Sequence, residues 1–428
     1  MPRSPWWWVP SLYFGQGLPY VVVMTLAVVL YKNLGIGNAE IALVTSWLYL
    51  PWVIKPLWSP LVDVLRSKRW WIVTLQLLIG ASLAAVALAL PMAGWFQASL
   101  ALFWLMAFSS ATHDIAADGF YMLALPQHQQ AAFVGVRSLF YRIAMIAGQG
   151  GLVYGAGRLA EVSGNPVRAW QIVFLGLGLA FVLLFAWHRG MLPRPAVDAE
   201  RRARHTVRAV WADFVETFAS FFRRRDIVLA LAFLLTFRLG EAQLVKLAAP
   251  FLLDPRERGG LQLSTAELGL VYGTVGVGAL TAGGLLGGWV ISRHGLKSWL
   301  WPMVAAIHTP NLLYVALAAS QPESRWLITG AVAAEQLGYG FGFAAYLLYM
   351  ILVADGPAKT AHYALCTGFM ALGMMLPGMA SGWLQQQLGY AAFFVWVCLC
   401  TLPSVWLARR LQIPEGFGRK PREASEAP

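Results

Sequence analysis

The chain has 428 residues, of which 58% are apolar and only 12% charged, with a formal charge of +12. A soluble globular protein of this length needs far more polar surface to cover its cores, so that class is excluded. The positive charge does not point to nucleic acid either, because it gathers in short segments between long apolar runs.

Those runs recur from end to end, each about 18 to 25 residues and long enough to cross a bilayer as a helix. The N-terminus carries Trp6-Trp7-Trp8, a set of interfacial anchors, and lacks the charged region and small-residue cleavage site of a removable leader. Spans are expected at Trp8–Tyr31, Ile41–Val62, Trp70–Leu90, Ala98–Leu125, Ala132–Gly157 and Ala169–Trp187. The apolar pattern then breaks. Residues 189–225 bring Pro193, Pro195, Asp198, Glu200 and nine arginines, with an amphipathic stretch from Val210 to Phe222 expected to lie as a helix along the membrane surface. Six more spans follow: Ile227–Leu253, Leu268–Ile291, Trp299–Ala319, Trp326–Val353, Tyr363–Gln386 and Ala391–Ala408. The chain therefore reads as a six-helix bundle over 1–188, a linker over 189–225, a second six-helix bundle over 226–412 and a tail over 413–428.

Of the 32 lysines and arginines, 21 fall in the tails, the linker and the loops on the same side as these, against six in the loops opposite. That bias puts both termini in the cytoplasm, as an even number of spans requires. Cys366, Cys398 and Cys400 all lie within spans, so neither a disulfide framework nor a metal site is expected. No nucleophile–base pair or phosphate-cradling loop appears, and an enzyme is not expected.

The two halves repeat one loop. Ser59-Pro60-Leu61-Val62-Asp63-Val64-Leu65-Arg66-Ser67-Lys68 follows the second span, and Gly288-Trp289-Val290-Ile291-Ser292-Arg293-His294-Gly295-Leu296-Lys297 follows the eighth. Both are similar to the G-x-x-x-D-R-x-G-R-K gating loops of the major facilitator superfamily. The first keeps Asp63 and Lys68 but not the glycines; the second has Ser292 in place of the acid and keeps Arg293 and Lys297. Spans 5 and 8 are rich in closely spaced glycines, such as Gly148, Gly150 and Gly151 and Gly273, Gly276 and Gly278, which let helices approach.

A closer resemblance lies in four further stretches. Tyr13-Phe14-Gly15-Gln16-Gly17-Leu18-Pro19 contains an F-x-x-G-L-P core. Leu50-Pro51-Trp52-Val53-Ile54-Lys55-Pro56-Leu57-Trp58-Ser59-Pro60-Leu61-Val62-Asp63 is similar to L-P-x-x-x-K-x-x-W-[AS]-P-L-x-D. His113-Asp114-Ile115-Ala116-Ala117-Asp118-Gly119 is similar to Q-D-I-A-x-D-[AG], with His113 in place of the usual Gln, and Arg238-Leu239-Gly240-Glu241 matches K/R-x-G-[DE]. Together they resemble the AmpG-type muropeptide permeases and their relatives, the acetyl-coenzyme A transporters. The resemblance implies an all-α membrane protein of twelve helices in two six-helix bundles, set in the bacterial inner membrane and working by alternating access. It implies import of peptidoglycan-derived muropeptides, N-acetylglucosamine–anhydro-N-acetylmuramic acid with or without peptide, by proton symport. Another bulky anion, a siderophore or acetyl-coenzyme A, is the alternative, as is a receptor on a transporter fold. No cofactor beyond a proton gradient is expected, nor any partner beyond a small-molecule substrate and membrane lipids, and the protein is expected to be a monomer.

Ionisable residues within the spans are the candidate site, since each costs several kcal/mol unless paired or wet. Depth from the cytoplasmic turn pairs Asp118 with Arg137 and, deeper, Asp114 with Arg142; both pairs read as structural locks or as a breakable cavity pair. Arg238 and Glu241 sit at i, i+3 and can neutralise each other. Asp114 and Glu241 are the proton-coupling candidates, one from each half. Lys55 either holds a carboxylate of span 4 or attracts an anionic substrate group. Glu335 either packs on a polar neighbour or lines the cavity, and Lys246, nearer the outer face, can snorkel. His113 and His308 read as structural more readily than as proton relays. Tyr13, Gln16, Tyr20, Trp47, Tyr141 and Gln149 combine flat faces with hydrogen-bonding groups, as suits a sugar-binding cavity.

Overall fold

The computed structural model describes residues 4–195, 207–356 and 359–420. Among these residues there is no strand, and eleven helical stretches are long and apolar enough to cross a membrane. The last, Ala361–Ala408, runs for 48 residues, about twice a single crossing, and is divided at Gly389, whose φ of 73° no helix contains. The count is therefore twelve, as expected. The spans are α1 (Pro5–Asn33), α2 (Asn38–Val62), α3 (Lys68–Ala89), α4 (Trp95–Ala124), α5 (His128–Ser163), α6 (Pro166–Met191), α7 (Ile227–Leu253), α8 (Thr265–His294), α9 (Leu296–Ser320), α10 (Arg325–Ala354), α11 (361–388) and α12 (390–408).

Several spans are interrupted where they meet the centre of the molecule. In α1, Pro19 lacks a backbone donor and a wide, π-type turn follows at Val22–Leu26. α2 breaks at Leu48 and Tyr49, one turn before Pro51, and α9 breaks at Thr309 and Pro310. Facing wide turns occur in α5 (Ala147–Leu152) and α8 (Gly269–Gly276). There the two halves touch backbone to backbone: a Cβ on Gly273 would overlap the Gln149 carbonyl oxygen, so only glycine permits this approach. α7 breaks between Thr236 and Leu239, which matters for the site below.

The buried apolar residues fall into three clusters. One runs through both halves at the end opposite the chain termini, joining Val28, Leu30 and Ile41 to Leu247, Phe251 and Phe394. At the terminus-bearing end the core divides into an N-terminal cluster around Trp8, Phe120 and Tyr121 and a C-terminal one around Phe233, Tyr346 and Met350. The apolar cores of the halves are thus continuous at one end and distinct at the other, where α2 still packs against α11 at Val53 and Gly368. Trp6 and Trp7 are exposed like interfacial anchors, but Trp8 is fully buried against Phe120, so the triplet is only two-thirds surface.

The linker forms a helix, Val207–Phe222, that buries Phe221 in the C-terminal cluster and leaves Trp211, Val215 and Phe222 exposed. Asp198 and Glu200 lie outside the described residues. Residues 413–420 of the tail are docked rather than free: Phe417 accepts the Leu296 amide at 2.8 Å and Ser292 accepts that of Lys420 at 2.8 Å. Orientation follows from the charge bias alone. A reporter fused after Arg410, or inserted near Asp198, is expected to read cytoplasmic, and one near Arg256 periplasmic; a reversed signal at the linker or the tail overturns the assignment.

Candidate functional site

On the N-terminal side, α4 presents Asp114 and Asp118 on one face, one turn apart. Asp114 accepts from Lys55 Nζ of α2 at 2.6 Å and from Gln16 Nε2 of α1. Asp118 accepts from the Arg137 guanidinium of α5 at 2.8 Å and from the Tyr13 hydroxyl at 3.1 Å. The same guanidinium lies over the rings of Tyr13 and Tyr121, at 4.5 and 5.1 Å. Three helices are therefore tied by two adjacent ion pairs, and α1 joins them through the hydrogen bonds of Gln16 and Tyr13. Lys55 and Asp114 keep 23% and 20% of their side-chain surface, so solute and water can reach them.

Asp114 does not pair with Arg142. Matched depth places two side chains at one level but says nothing of direction. Five residues turn a helix by about 140°, so Arg142 points away from the face that carries Arg137. It crosses to the other half, where its guanidinium donates to Thr281 Oγ1 of α8 at 3.3 Å. Among the described residues it meets no carboxylate.

The C-terminal side differs in kind. The break in α7 leaves Arg238 as the residue before the second helical piece, with φ −102° and ψ 14°; it makes no direct ion pair with Glu241, but the two remain within electrostatic reach of each other. Arg238 instead donates to the Tyr339 hydroxyl and lies 5.3 and 5.0 Å from the Tyr339 and Phe343 rings of α10. Glu241 is fully buried, and neither carboxylate oxygen has a hydrogen-bond partner. Glu335 of α10 is as deeply buried; it accepts from Gln336 Nε2 at 2.9 Å through Oε2, and its Oε1 is unpartnered. The two glutamates lie within electrostatic reach of each other.

Lys246 does not snorkel. It is 3% exposed and points across the molecule to Thr45 and Tyr49 of α2.

The remaining sequence candidates scatter. Tyr13 and Gln16 are buried in the ion-pair cluster instead of forming an open wall. Tyr20 is half-buried, edge-on to Trp52 with ring centroids 5.3 Å apart. Tyr141 is half-buried where α5 meets Gly17 of α1, and Gln149 is half-buried where its backbone meets Gly273. Trp47 is a correction. It is exposed with Leu43 on the side of α2 opposite the buried Ile41, Ala42, Thr45 and Ser46, so it faces out of the bundle and not into a cavity.

In the repeated loops, the Asp63 side chain lies outside the described residues. The Lys68 stem is buried over Gly119, Arg293 lies 4.3 Å over Trp289, and Lys297 pairs with Glu415 of the tail at 3.0 Å.

Two arrangements were not legible in the sequence. Ser11, His188, Gln76 and His113 form a buried chain of hydrogen bonds across α1, α6, α3 and α4, with steps of 2.9, 2.9 and 3.1 Å, ending beside Asp114. His308 is held by Ser404 at 3.0 Å. At the sealed end Asp254 of α7 takes Lys32 at 2.5 Å, Tyr390 at 2.6 Å and Asn38 at 3.0 Å, and Asn38 also donates to Gln385 at 3.0 Å. A polar pocket of about 510 Å³ lies over this seal, lined by Asn33, Arg258, Thr265 and Gln386 among others. No single one of these residues announces a partner in the sequence, which is why only their convergence reveals them.

This is a two-bundle membrane protein sealed at one end, with buried charges at the interface of its halves. The model of the Major Facilitator Superfamily matches residues 11–355. The chain belongs to that superfamily. Among its relatives, an uncharacterized protein of Haemophilus influenzae is 26% identical over 401 residues, 90% of this chain and 89% of that one. The anhydromuropeptide permease of Escherichia coli K12 is 24% identical over 378 residues, 83% of this chain and 69% of the permease. Among solved structures, a nucleoside transporter superposes with a TM-score of 0.68 at 16% identity, over 94% of this chain and 96% of the transporter, which supports the fold. As a major facilitator protein the chain is a multi-pass transporter of the bacterial inner membrane and not an enzyme.

Proposed function

We propose that this facilitator imports peptidoglycan-derived amino-sugar fragments, N-acetylglucosamine–anhydro-N-acetylmuramic acid with or without peptide, by proton symport. The substrate class rests on the four motifs of α1, α2, α4 and α7 and on the similarity to the anhydromuropeptide permease. The coupling rests on one observation: Glu241 is fully buried and neither of its oxygens accepts a hydrogen bond, while Arg238, the charge within its electrostatic reach, is bonded to Tyr339 of α10. A charged carboxylate without a partner in a dry site costs several kcal/mol, so the group is stable there once a proton neutralises it. Asp114, by contrast, is already balanced by Lys55 and Gln16. We therefore assign proton carriage to Glu241 and substrate-linked ion pairing to Asp114. With the termini assigned to the cytoplasm by the charge bias, the seal opposite them closes the outer face in this reading, and the seal at Lys32, Asn38, Asp254 and Tyr390 is what opens to admit solute.

Counterflow in liposomes tests the reading. Vesicles preloaded with the unlabelled disaccharide are expected to draw in labelled disaccharide transiently above its external concentration. Labelled disaccharide that enters no faster than into protein-free vesicles overturns the substrate assignment.

A further inference from the structure

Lys246 presents a charge for which the transport cycle described so far has no use. Its ammonium is 3% exposed and meets no carboxylate within ion-pair distance among the described residues. One N–H goes to Thr45 Oγ1 at 3.0 Å, and the Tyr49 ring lies 5.0 Å away. Thr45 spends its own proton on the Ile41 carbonyl at 2.7 Å, so it offers Lys246 a lone pair and no charge. Beside them Ser46 is fully buried, and its hydroxyl has no partner at all. Gly378 of α11 packs against Ser46 and the stem of Lys246: an added Cβ would lie 2.6 Å from Ser46 Oγ and 3.3 Å from Lys246 Cγ. The stem of a buried cation and a buried orphan hydroxyl thus lie against one glycine, and an isolated buried ammonium costs several kcal/mol unless a counter-charge arrives.

The place explains where the counter-charge comes from. Lys246 is on α7, Thr45 and Ser46 are on α2, and Gly378 is on α11, so the point lies on the seam between the halves. Asp254, which anchors the seal, caps the end of α7 eight residues further on, about 12 Å toward the sealed end. Parting the seal separates α2 from α7 and α11 and turns all three polar groups into the wall of the cleft that solute enters. The geometry points to Lys246, with Ser46 and Thr45, as a docking site for an anionic oxygen group of the transported solute, a carboxylate or a phosphate, open only while the seal is parted. This rests on the transport reading above and extends it: the solute is selected for its negative charge at the seam, apart from the Asp114 and Glu241 groups.

The test compares N-acetylglucosamine–anhydro-N-acetylmuramic acid with its neutral carboxamide, using full-length protein in liposomes. Wild type is expected to show a KM for the acid roughly tenfold below that for the amide, as one charge-assisted contact supplies. Lys246→Gln is expected to raise the KM of the acid to that of the amide and leave the amide unchanged, and Lys246→Arg to keep most of the preference. Ser46→Ala, a milder change, is expected to narrow the ratio and keeps the test decisive should Lys246→Gln fail to fold. Equal handling of acid and amide by wild type overturns the proposal, as does a Lys246→Gln variant that folds with wild-type thermal stability yet loses both alike. Should wild type transport neither, thermal stabilisation by acetyl-coenzyme A separates the two readings. A shift in wild type that Lys246→Gln abolishes keeps the anion site and removes the amino-sugar assignment, whereas no shift, or one that survives Lys246→Gln, overturns the site.

Discussion

Replacing Glu241 by glutamine is expected to abolish accumulation of substrate driven by a pH gradient while sparing exchange of labelled for unlabelled substrate. Exchange needs no net proton movement, so the two assays separate coupling from binding. The expectation follows from the three unpartnered carboxylate oxygens of Glu241 and Glu335, which face each other's charge with Arg238 engaged on Tyr339. Glutamine keeps the volume and removes the charge, so the packing around a fully buried position is preserved. Accumulation should fall to about a tenth of wild type or less, since one unpaired charge in the membrane is worth several kcal/mol. Glu335→Gln is expected to act in the same direction, because a carboxyl pair responds to either member. Undiminished accumulation by both variants removes proton coupling from this pair. Loss of exchange together with uptake would mean that Glu241 binds substrate or holds the fold.

The ion pair between Lys55 and Asp114 carries the second large effect. Asp114→Asn and Lys55→Met are each expected to stop transport, and each to lower thermal stability by about 1–3 kcal/mol. Breaking a fully buried pair costs about 3–5 kcal/mol, but here roughly a fifth of each side chain remains exposed and screening reduces the loss. The double variant should lose less than the sum of the two singles, because it leaves no charge unbalanced. Arg142→Gln serves as the contrast: its effect should add to that of Asp114→Asn, as its contact is with Thr281 in the other half. Additive losses for Lys55 and Asp114 in the double-mutant cycle would show that the bridge has no energetic content.

The sequence by itself determined how many times this chain crosses the membrane and which ionisable residues lie within the crossings. Both follow from local quantities, the length of an apolar run and the cost of a charge inside it, and need no knowledge of neighbours. It also placed Asp114 and Asp118 on one face, because i, i+4 spacing is a property of a single helix. What it left undecided is partnership, which depends on direction across helices. Depth alone paired Asp114 with Arg142, and the 140° turn between Arg137 and Arg142 sent the latter to α8. Spacing alone paired Arg238 with Glu241, and a break in α7 that no proline announces put Arg238 on α10. Trp47 looked like a cavity aromatic until the burial of Thr45 and Ser46 showed which face of α2 is turned inward. Lys246 looked like a snorkelling side chain until α2 and α11 closed over it. In each case the residue type and depth were legible, and only the packing of the two halves against each other decided which charges are balanced and which are left to the solute and the proton.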